Sequence, residues 1–284
     1  MPSPSRQPAA GETSAGWVEN RAGRSWAVDW PELWRSRQLV GYFALRDVRV
    51  RYKQASLGVA WVVLVPLATV AAFTVGFQRL TSVPSDGLPY PVFALAGLLT
   101  WTYLSQCIAQ GSEVLVRSPE LINKTYFPRL LAPVAALLPP LVDLAVGLGV
   151  LALMCVLYGV SPSPALLLLP AWLLLLVLTA LGPVLLLSAA NVRFRDVRHA
   201  VSPALQAALF LSPVAYAATG LRGWHRSVYA LNPAVGALDV GRWVLVGGSR
   251  PEASSLVSVL VAAVLAVAGL LVFQRSSRSF ADVI

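Results

Sequence analysis

The sequence predicts an all-α polytopic membrane protein. We expect six transmembrane helices per subunit, an N-terminal amphipathic helix at the membrane interface, and short re-entrant helices before the last span. Of the 284 residues, 57% are hydrophobic and 12% are charged, whereas soluble domains usually carry about twice this charged fraction. Apolar runs of roughly 20 residues, the length that crosses a bilayer, recur along the chain. Basic residues lie in the polar segments between these runs, as is typical of membrane proteins.

Residues 1–28 are rich in Pro, Ser, Ala and Gly and show little apolar periodicity. They contain no apolar signal-peptide core, so we expect a flexible tail that stays in the cytoplasm. Residues 29–56 are predicted to contain the interfacial helix and a cationic segment before the first span. The alternative for this helix is packing on the protein itself. Its broad apolar face would be formed by Trp30, Leu33, Trp34, Leu39, Val40 and Phe43.

The six spans are apolar runs bounded by charges or turn residues, within a transmembrane domain predicted over 57–284. A helix over 57–80 would be about 36 Å long at roughly 1.5 Å per residue, enough to cross the bilayer with some tilt. The adjacent Pro139 and Pro140 are expected to kink the third span or to begin a new turn within it. The predicted bounds are about 57–80, 88–109, 130–157, 165–190, 200–218 and 252–273.

Residues 219–250 are too polar and too interrupted by glycine and by Asn232-Pro233 for a full crossing. We expect short helices here that enter the bilayer partway, which is possible only where protein covers the irregular backbone. They would precede the last span.

The distribution of basic residues predicts the orientation. With the N-terminus inside, fourteen basic residues fall in cytoplasmic segments and four in outer segments, which favours six spans with both termini in the cytoplasm. The outer four are Arg222, Arg226, Arg242 and Arg250, with Arg79 at the edge of the first span. The cytoplasmic fourteen are Arg35, Arg37, Arg46, Arg49, Arg51, Lys53, Arg117, Lys124, Arg129, Arg193, Arg195, Arg198, Arg275 and Arg278.

The chain offers few groups for catalysis or for binding a metal. It contains no HExxH, GxSxG or GxxxxGK[ST] motif, so it cannot hydrolyse ATP through a P-loop of its own. His199 and His225 are predicted on opposite sides of the membrane, and Cys107 and Cys155 are interpreted as small core residues rather than a disulfide or a metal site. The net charge of +9 favours anionic lipid head groups as partners over nucleic acid, because no soluble fold remains to present the basic residues.

Asp143 is the one carboxylate predicted well inside a span, close to the middle of the bilayer. A carboxylate at this depth is costly, which makes Asp143 a candidate functional residue. No cationic partner lies near it in the sequence. The alternative is a side chain satisfied by a neighbouring helix or by water.

Four blocks of the sequence then resemble a known family: RDVRVRYKQASLGVAWVVLVPLATVAAFTVGF, ELINKTYFPRLLAP, NVRFRDVRHAVSPALQAALFLSPVAY and LNPAVGALDVGRW. In order and spacing they are similar to the membrane subunits of ABC exporters for O-antigen, capsule, teichoic acid and related cell-envelope glycans, over about residues 33–275. The resemblance implies a homodimer in the bacterial inner membrane, paired with two copies of a separate ATP-binding subunit that holds ATP and Mg. It also implies transport of a polyprenyl-pyrophosphate-linked polymer through a channel between the two permeases.

The resemblance assigns roles to three groups of residues. Arg49, Arg51 and Lys53 would attract the lipid pyrophosphate, with ordinary positive-inside anchoring as the alternative. The broken segment 219–243 resembles the outer gate helices of the family, with Asn232, Pro233, Asp239 and Arg242 as gate candidates. Residues 118–128 resemble the coupling helix that fits the ATPase, and a solvated loop is the alternative for the added contact at 193–198. The coupling candidates are Pro119, Glu120, Asn123, Lys124, Tyr126, Phe127, Arg129, Arg195 and Asp196.

Aromatic side chains suit a glycan path, because sugar faces stack on rings. The candidates are Trp61, Phe73, Phe77, Trp101, Tyr103 and Tyr216, and a position in the lipid-facing aromatic belt is the alternative for each. Two other functions are weighed against glycan export. One is an ABC permease for drugs or small lipids with the same architecture, and the other is an intramembrane transferase that depends on Asp143.

Overall fold

The computed structural model describes residues 37–53, 60–79, 84–117, 129–217 and 224–277. These residues form helices joined by turns and contain no strand, which confirms the all-α class. A π-helical segment, Thr74–Arg79, extends α2, and a 3₁₀ helix, Pro164–Leu168, precedes α6. In chain order the α-helices are α1 (Arg37–Lys53), α2 (Ala60–Phe73), α3 (Tyr90–Arg117), α4 (Leu131–Ala135), α5 (Pro139–Leu157), α6 (Leu169–Arg193), α7 (Val197–Leu211), α8 (Trp224–Ala230), α9 (Pro233–Val246) and α10 (Ala253–Ser277).

Four helical segments of the described residues are long and apolar enough to cross a membrane. They correspond to the second, third, fourth and sixth predicted spans: Tyr90–Arg117, Leu131–Leu157, Pro164–Arg193 and Ala253–Ser277. The chain is therefore an integral membrane protein by the length and composition of its helices.

The helices α3, α6 and α10 finish at the same end of the bundle. Asn191 Nδ2 of α6 donates to the Ser112 carbonyl of α3 at 2.9 Å, and the Arg129 guanidinium donates to the Ser277 carbonyl at the end of α10. We call this the basic end, and it carries Arg117, Arg129, Arg193 and Arg275. The opposite end, where α3 and α10 begin, is the far end. The α4–α5 segment runs back from the basic end to the far end.

The first and fifth predicted spans differ from the other four. The apolar part of α2, Ala60–Gly76, is shorter than the four long segments. The helix α7 has 15 residues and ends at Leu211, short of the predicted limit near 218, because Ser212 is extended (φ −104°, ψ 149°) and precedes Pro213, which disfavours a helical conformation at the preceding residue. A count of six transmembrane helices stays a prediction.

Proline and glycine set the helix boundaries where the sequence predicted breaks. Pro139 and Pro140 occupy the first two positions of α5, where a missing N–H is tolerated, so the predicted new turn in the third span is confirmed. In the segment predicted to hold short helices, α9 begins at Pro233, and the Asn232 side chain caps the Ala234 N–H at 3.0 Å. Gly247, at φ +70°, terminates α9 in the left-handed conformation.

The helix α3 forms the centre of the core, and residues 92–101 are almost fully buried. It contacts α2, α5, α6, α7 and α9. On the other side of α6, α10 approaches at glycine positions. A Cβ on Gly182 would lie 2.6 Å from the Leu265 carbonyl carbon, and a Cβ on Gly269 would lie 2.7 Å from the Gly182 carbonyl oxygen. Small residues of this kind let membrane helices pack backbone to backbone.

The helix α1 carries the cationic segment as one continuous helix. Ala44 faces the protein at 8% exposure, and α1 contacts α4 and α5. Its exposed side mixes apolar residues with Arg46 and Arg49. The predicted interfacial position of this helix stays a prediction, and residues 30–36 of its predicted apolar face lie outside the described residues.

Replacing Gly182 with leucine is expected to separate α6 from α10, because the new side chain would meet the backbone of α10. Overpacking of this kind costs about 1–3 kcal/mol, which corresponds to a fall of about 2–10 °C in the unfolding temperature of a chain this size. The measurement is thermal unfolding of the purified protein in detergent. The matched control is Gly149→Leu on α5, where a Cβ meets no atom within 4 Å. Equal unfolding temperatures for the two variants would show that the α6–α10 contact tolerates the added volume.

Candidate functional site at the Arg51–Asp143 pair

The end of α1 places the Arg51 side chain between α3 and α5. Arg51 Nη1 donates to Asp143 Oδ2 at 2.5 Å and lies 3.4 Å from Gln106 Oε1. Arg51 Nη2 donates to Gln110 Oε1 at 2.5 Å. The planar guanidinium therefore binds one carboxylate and two amides through its fork of donors.

Helical spacing explains why these partners converge. Gln106 and Gln110 are four residues apart on α3, so they lie on one face of that helix, one turn apart. Asp143 lies in the second turn of α5, shortly after the proline pair that starts the helix. The positions of α3 and α5 thus present three acceptors to the end of α1.

The pair is mostly shielded from solvent, which determines its energetics. The Asp143 side chain is 9% exposed and the Arg51 side chain is 28% exposed. A charge buried among apolar helices is costly unless an opposite charge and hydrogen bonds satisfy it. Arg51 and Asp143 therefore each depend on the other.

This ion pair corrects the sequence-based interpretation of Asp143 as an acid without a cationic partner nearby. The partner lies 92 positions earlier in the chain, on a helix that was predicted to belong to the membrane interface. The alternative given for Asp143, a side chain satisfied by a neighbouring helix, agrees with its bond to Arg51 of α1. Pairing over such a sequence distance arises from helix packing, and periodicity within one segment does not encode it.

A cavity of about 320 Å³ adjoins the pair. Arg51, Asp143 and Gln106 line its polar side, while Val62 and Val65 of α2 contribute to its apolar wall. Trp61, also on this wall, is 53% exposed. The arrangement can bind an amphiphile, with an anionic or hydroxyl-rich head near the guanidinium and an apolar part along α2.

The structure brings some of the predicted site residues together and separates others. Arg49 is exposed on α1, two residues before Arg51 and therefore on a different side of the helix. The side chain of Lys53 lies outside the described residues. Of the aromatic candidates, Trp61 and Tyr103 line the cavity. The Tyr103 hydroxyl donates to the Leu137 carbonyl at 3.3 Å, which ties α3 to the start of α5.

The remaining aromatic candidates lie elsewhere. Trp101 is 8% exposed within the core, and Phe73 packs on the same core from α2. Tyr216 is hydrogen-bonded to Tyr229 near the far end. The side chain of Phe77 lies outside the described residues. A glycan-contacting role for these six residues stays a prediction.

The predicted coupling residues are at or near the basic end where they are described. Arg129 binds the end of α10, and Arg195 and Asp196 are exposed at the turn before α7. The coupling role of all nine candidates stays a prediction. Outside the described residues are Pro119, Glu120, Asn123, Lys124, Tyr126 and Phe127.

A second polar cluster, at the far end, contains the four gate candidates. Arg242 is 3% exposed; its Nη2 donates to the Val214 carbonyl at 2.6 Å, and its guanidinium lies 3.9 Å from the centre of the Phe93 ring. Asp239 accepts a hydrogen bond from Ser255 at 2.8 Å. Besides capping α9, which starts at Pro233, Asn232 donates to Ser212 Oγ at 2.9 Å. These contacts fasten α9 to α3, to α10 and to the turn after α7.

Sequence reasoning did not select Gln106 and Gln110. The available signal was a pair of amides at helical spacing in an otherwise apolar run, which indicates a polar face turned toward the protein interior. Nor was the burial of Arg242 foreseen, because the segment 219–250 was treated as a polar outer segment. Within the described ranges, no three His, Cys, Asp or Glu side chains are grouped so that they could hold a metal ion.

Comparison with known proteins gives consistent matches over most of the chain. Residues 38–246 match the family model described as ABC-2 type transporter. The O-antigen export system permease protein RfbA of Myxococcus xanthus is 27% identical over 255 residues, which cover 88% of this chain and 97% of that protein. A protein of the same description from Klebsiella pneumoniae is 23% identical over 246 residues, which cover 84% of this chain and 92% of that protein.

Breaking the Arg51–Asp143 pair from one side is expected to destabilise the fold more than removing both charges. Asp143→Leu leaves the guanidinium without its carboxylate, at a cost of about 1–3 kcal/mol given the partial exposure of Arg51. The double variant Arg51→Met with Asp143→Leu should recover part of this loss. Thermal unfolding in detergent measures the two single variants, Asp143→Leu and Arg51→Met, and the double variant. Arg49→Met is the exposed control. Strictly additive effects would mean that the two side chains do not stabilise each other.

Replacing Arg242 with methionine is expected to loosen α9 from α3. The change removes the donor to the Val214 carbonyl and the cation over the Phe93 ring, so we expect a loss of about 2–4 kcal/mol. The matched control is Arg250→Met, because Arg250 is exposed just beyond α9. Limited proteolysis between α7 and α10 gives the local readout, with faster cleavage expected in Arg242→Met alone. Similar cleavage of both variants would contradict the fastening role.

Proposed function

Because the chain belongs to the ABC-2 type transporter family, we propose that it is the permease subunit of an ATP-driven exporter of a polyprenyl-pyrophosphate-linked polysaccharide. Membership implies a transport subunit whose ATPase is a separate subunit. The proposed cargo is O-antigen, teichoic acid, a galactan or a similar cell-envelope glycan. It would move from the cytoplasm across the bacterial inner membrane.

The observation that carries this proposal is the nearly end-to-end match to permeases described as O-antigen export proteins. The alignment covers 97% of the Myxococcus protein, including the regions of both polar clusters. Because the alignment spans nearly all of that protein, this chain contains counterparts of nearly all of its structural elements. The match therefore supports a class of cargo, namely a lipid-linked glycan.

The geometry at the Arg51–Asp143 pair supports the view that this chain first binds the anionic head group of the cargo lipid. Arg51 remains 28% exposed and Arg49 lies exposed on the same helix. If the basic end faces the cytoplasm, as the charge distribution predicts, these guanidinium groups meet the lipid pyrophosphate where it is made. Lys53, at the end of α1, would add to the attraction.

We further propose that two copies of the chain enclose the glycan channel and that two ATP-binding subunits dock at the basic end. Exposed apolar residues on α5, among them Val142, Leu153 and Val156, provide surface for lipid or for a second copy. The coupling contact would use residues 118–128 together with the exposed turn at Arg195 and Asp196. ATP and Mg would bind to the partner subunits, and this chain would bind no cofactor.

An ABC permease for drugs or small lipids is the second candidate, and the cavity is the observation that favours it. A space of about 320 Å³ with a largely apolar wall could hold a small amphiphile within one subunit. The two candidates predict different phenotypes when transport stops. Loss of a glycan exporter retains lipid-linked polymer inside the cell, whereas loss of a drug exporter changes susceptibility to the drug.

Deleting the gene from its host is expected to remove the polymer from the cell surface and to accumulate its lipid-linked form on the cytoplasmic side. Surface polymer is measured by lectin or antibody labelling, and the retained form by extraction of polyprenyl-linked glycans. Restoring the chain should recover export only with an ATP-binding subunit whose Walker lysine is intact, which provides the control. Unchanged surface glycan with altered drug susceptibility would reject the proposal in favour of the second candidate.

A further inference from the structure

A buried asparagine joins α3 to α6 at the basic end. Asn191 is fully buried on α6, two residues before that helix ends, and its Nδ2 donates to the Ser112 carbonyl of α3 at 2.9 Å. Ser112 lies five residues before the end of α3 and is 1% exposed. The bond therefore crosses the α3–α6 contact close to the point where both helices end.

Stability does not require an asparagine at this position. The Ser112 carbonyl lies inside α3, where the Val116 N–H already donates to it in the regular helical pattern. Asn191 Oδ1 is buried and receives no hydrogen bond from any described residue, which is unfavourable in an apolar contact. A leucine, which has nearly the same shape, would fill this space without an unpaired oxygen.

The side chains packed around Asn191 are apolar. Leu115 of α3 shares a buried cluster with Leu185, Ala189 and Val192 of α6. Apolar contacts are not directional, and the helical repeat allows similar contacts to form again after a slip of one turn. The asparagine bond instead has one acceptor at one height along α3. Single buried asparagines of this kind fix the register of paired helices at some expense of stability.

We propose that Asn191 is a positioning residue that fixes the register of α3 against α6, so that the segments after the two helices are correctly spaced for one ATP-binding subunit. This inference rests on the proposed function, in which residues 118–128 and the turn at Arg195 and Asp196 form the coupling contact. Residue 118 follows α3 directly, and Arg195 is the second residue after α6. A slip of one helical turn would displace one segment relative to the other by about 5.4 Å.

A second bond fastens the chain on the other side of residues 118–128. The Arg129 guanidinium donates to the Ser277 carbonyl at the end of α10, and α10 packs closely on α6 at Gly182 and Gly269. The chain is thus attached to the α6–α10 pair both before residues 118–128, through Asn191, and after them, through Arg129. The position of the first coupling segment therefore depends on where α6 lies.

The first measurement is the register itself, in the full-length chain without its partner. Spin labels at Arg117→Cys and Arg193→Cys mark the exposed ends of α3 and α6, with Cys107 and Cys155 replaced by alanine. Dilution with unlabelled chain restricts the measured distances to one subunit. Electron paramagnetic resonance should give one narrow distance with Asn191 present. Asn191→Leu should broaden this distance or shift it by up to about 5.4 Å.

The matched control is Ser188→Ala. Ser188 lies three residues before Asn191 on the same face of α6, is fully buried, and has a hydroxyl without a partner among the described residues. Because its replacement removes no bond, the register should not change. Both variants should unfold at the temperature of the unaltered chain or higher, so a change of register in Asn191→Leu alone would not result from a damaged fold.

The second measurement is the affinity of the chain for the ATP-binding subunit that copurifies with it from its host, with both proteins in detergent. Two contacts made at once bind more tightly than either alone, and this gain is lost when their spacing is wrong. Asn191→Leu should therefore weaken binding at least about tenfold. Ser188→Ala should leave it unchanged. Neither export nor a cargo enters this result.

An unchanged distance in Asn191→Leu overturns the register role, and an altered distance with unchanged affinity overturns its use in docking. Equally weak binding by Ser188→Ala also overturns the proposal, because the effect would then not depend on the bond to Ser112. If Asn191→Leu does not fold, Asn191→Ala decides by the same two measurements. A register effect with tight partner binding but no glycan export would reject only the proposed cargo, and export without a register effect would reject only this inference.

Discussion

A charged side chain within an apolar helix bundle is stable only when other groups of the protein neutralise it, and this constraint governs both polar centres of the chain. At one centre Arg51 meets Asp143, with Gln106 and Gln110 as additional acceptors. These contacts bind the end of α1 to α3 and α5. The position of α1 against the bundle therefore depends on one ion pair and its amides, in addition to the apolar contact at Ala44.

The helix α3 links this centre to the one at the far end. It supplies Gln106 to Arg51 and Phe93 to Arg242, and the two positions are about 20 Å apart at roughly 1.5 Å per residue. A Cβ on Gly97 would lie 2.6 Å from Arg242 Nη2, so the guanidinium fits directly on the α3 backbone. Because α3 is also the most buried helix, a shift of it would alter the surroundings of both arginines together.

Local sequence signals predicted much of the fold but not the pairing of its charges. Long apolar runs identified the four long segments. The breaks predicted at Pro139-Pro140 and at Asn232-Pro233 coincide with the starts of α5 and α9. The end of α7 was misjudged, although Pro213 carried the signal. Asp143 was selected from its depth alone, and its partner was missed because Arg51 was assigned to the cationic segment before the first span. Contacts between residues 92 positions apart follow from packing, which periodicity does not specify.

Stability alone does not explain why the Arg51–Asp143 pair is charged. Apolar side chains of similar volume often stabilise a buried position as well as an ion pair does, because removing two charges from water offsets their attraction. If α1 only had to be fastened to α5, Leu and Met at these positions would serve. The pair instead lies beside a cavity with Arg51 still 28% exposed, where a ligand can reach the guanidinium. A guanidinium that a ligand can reach gives this position a use that an apolar contact cannot provide.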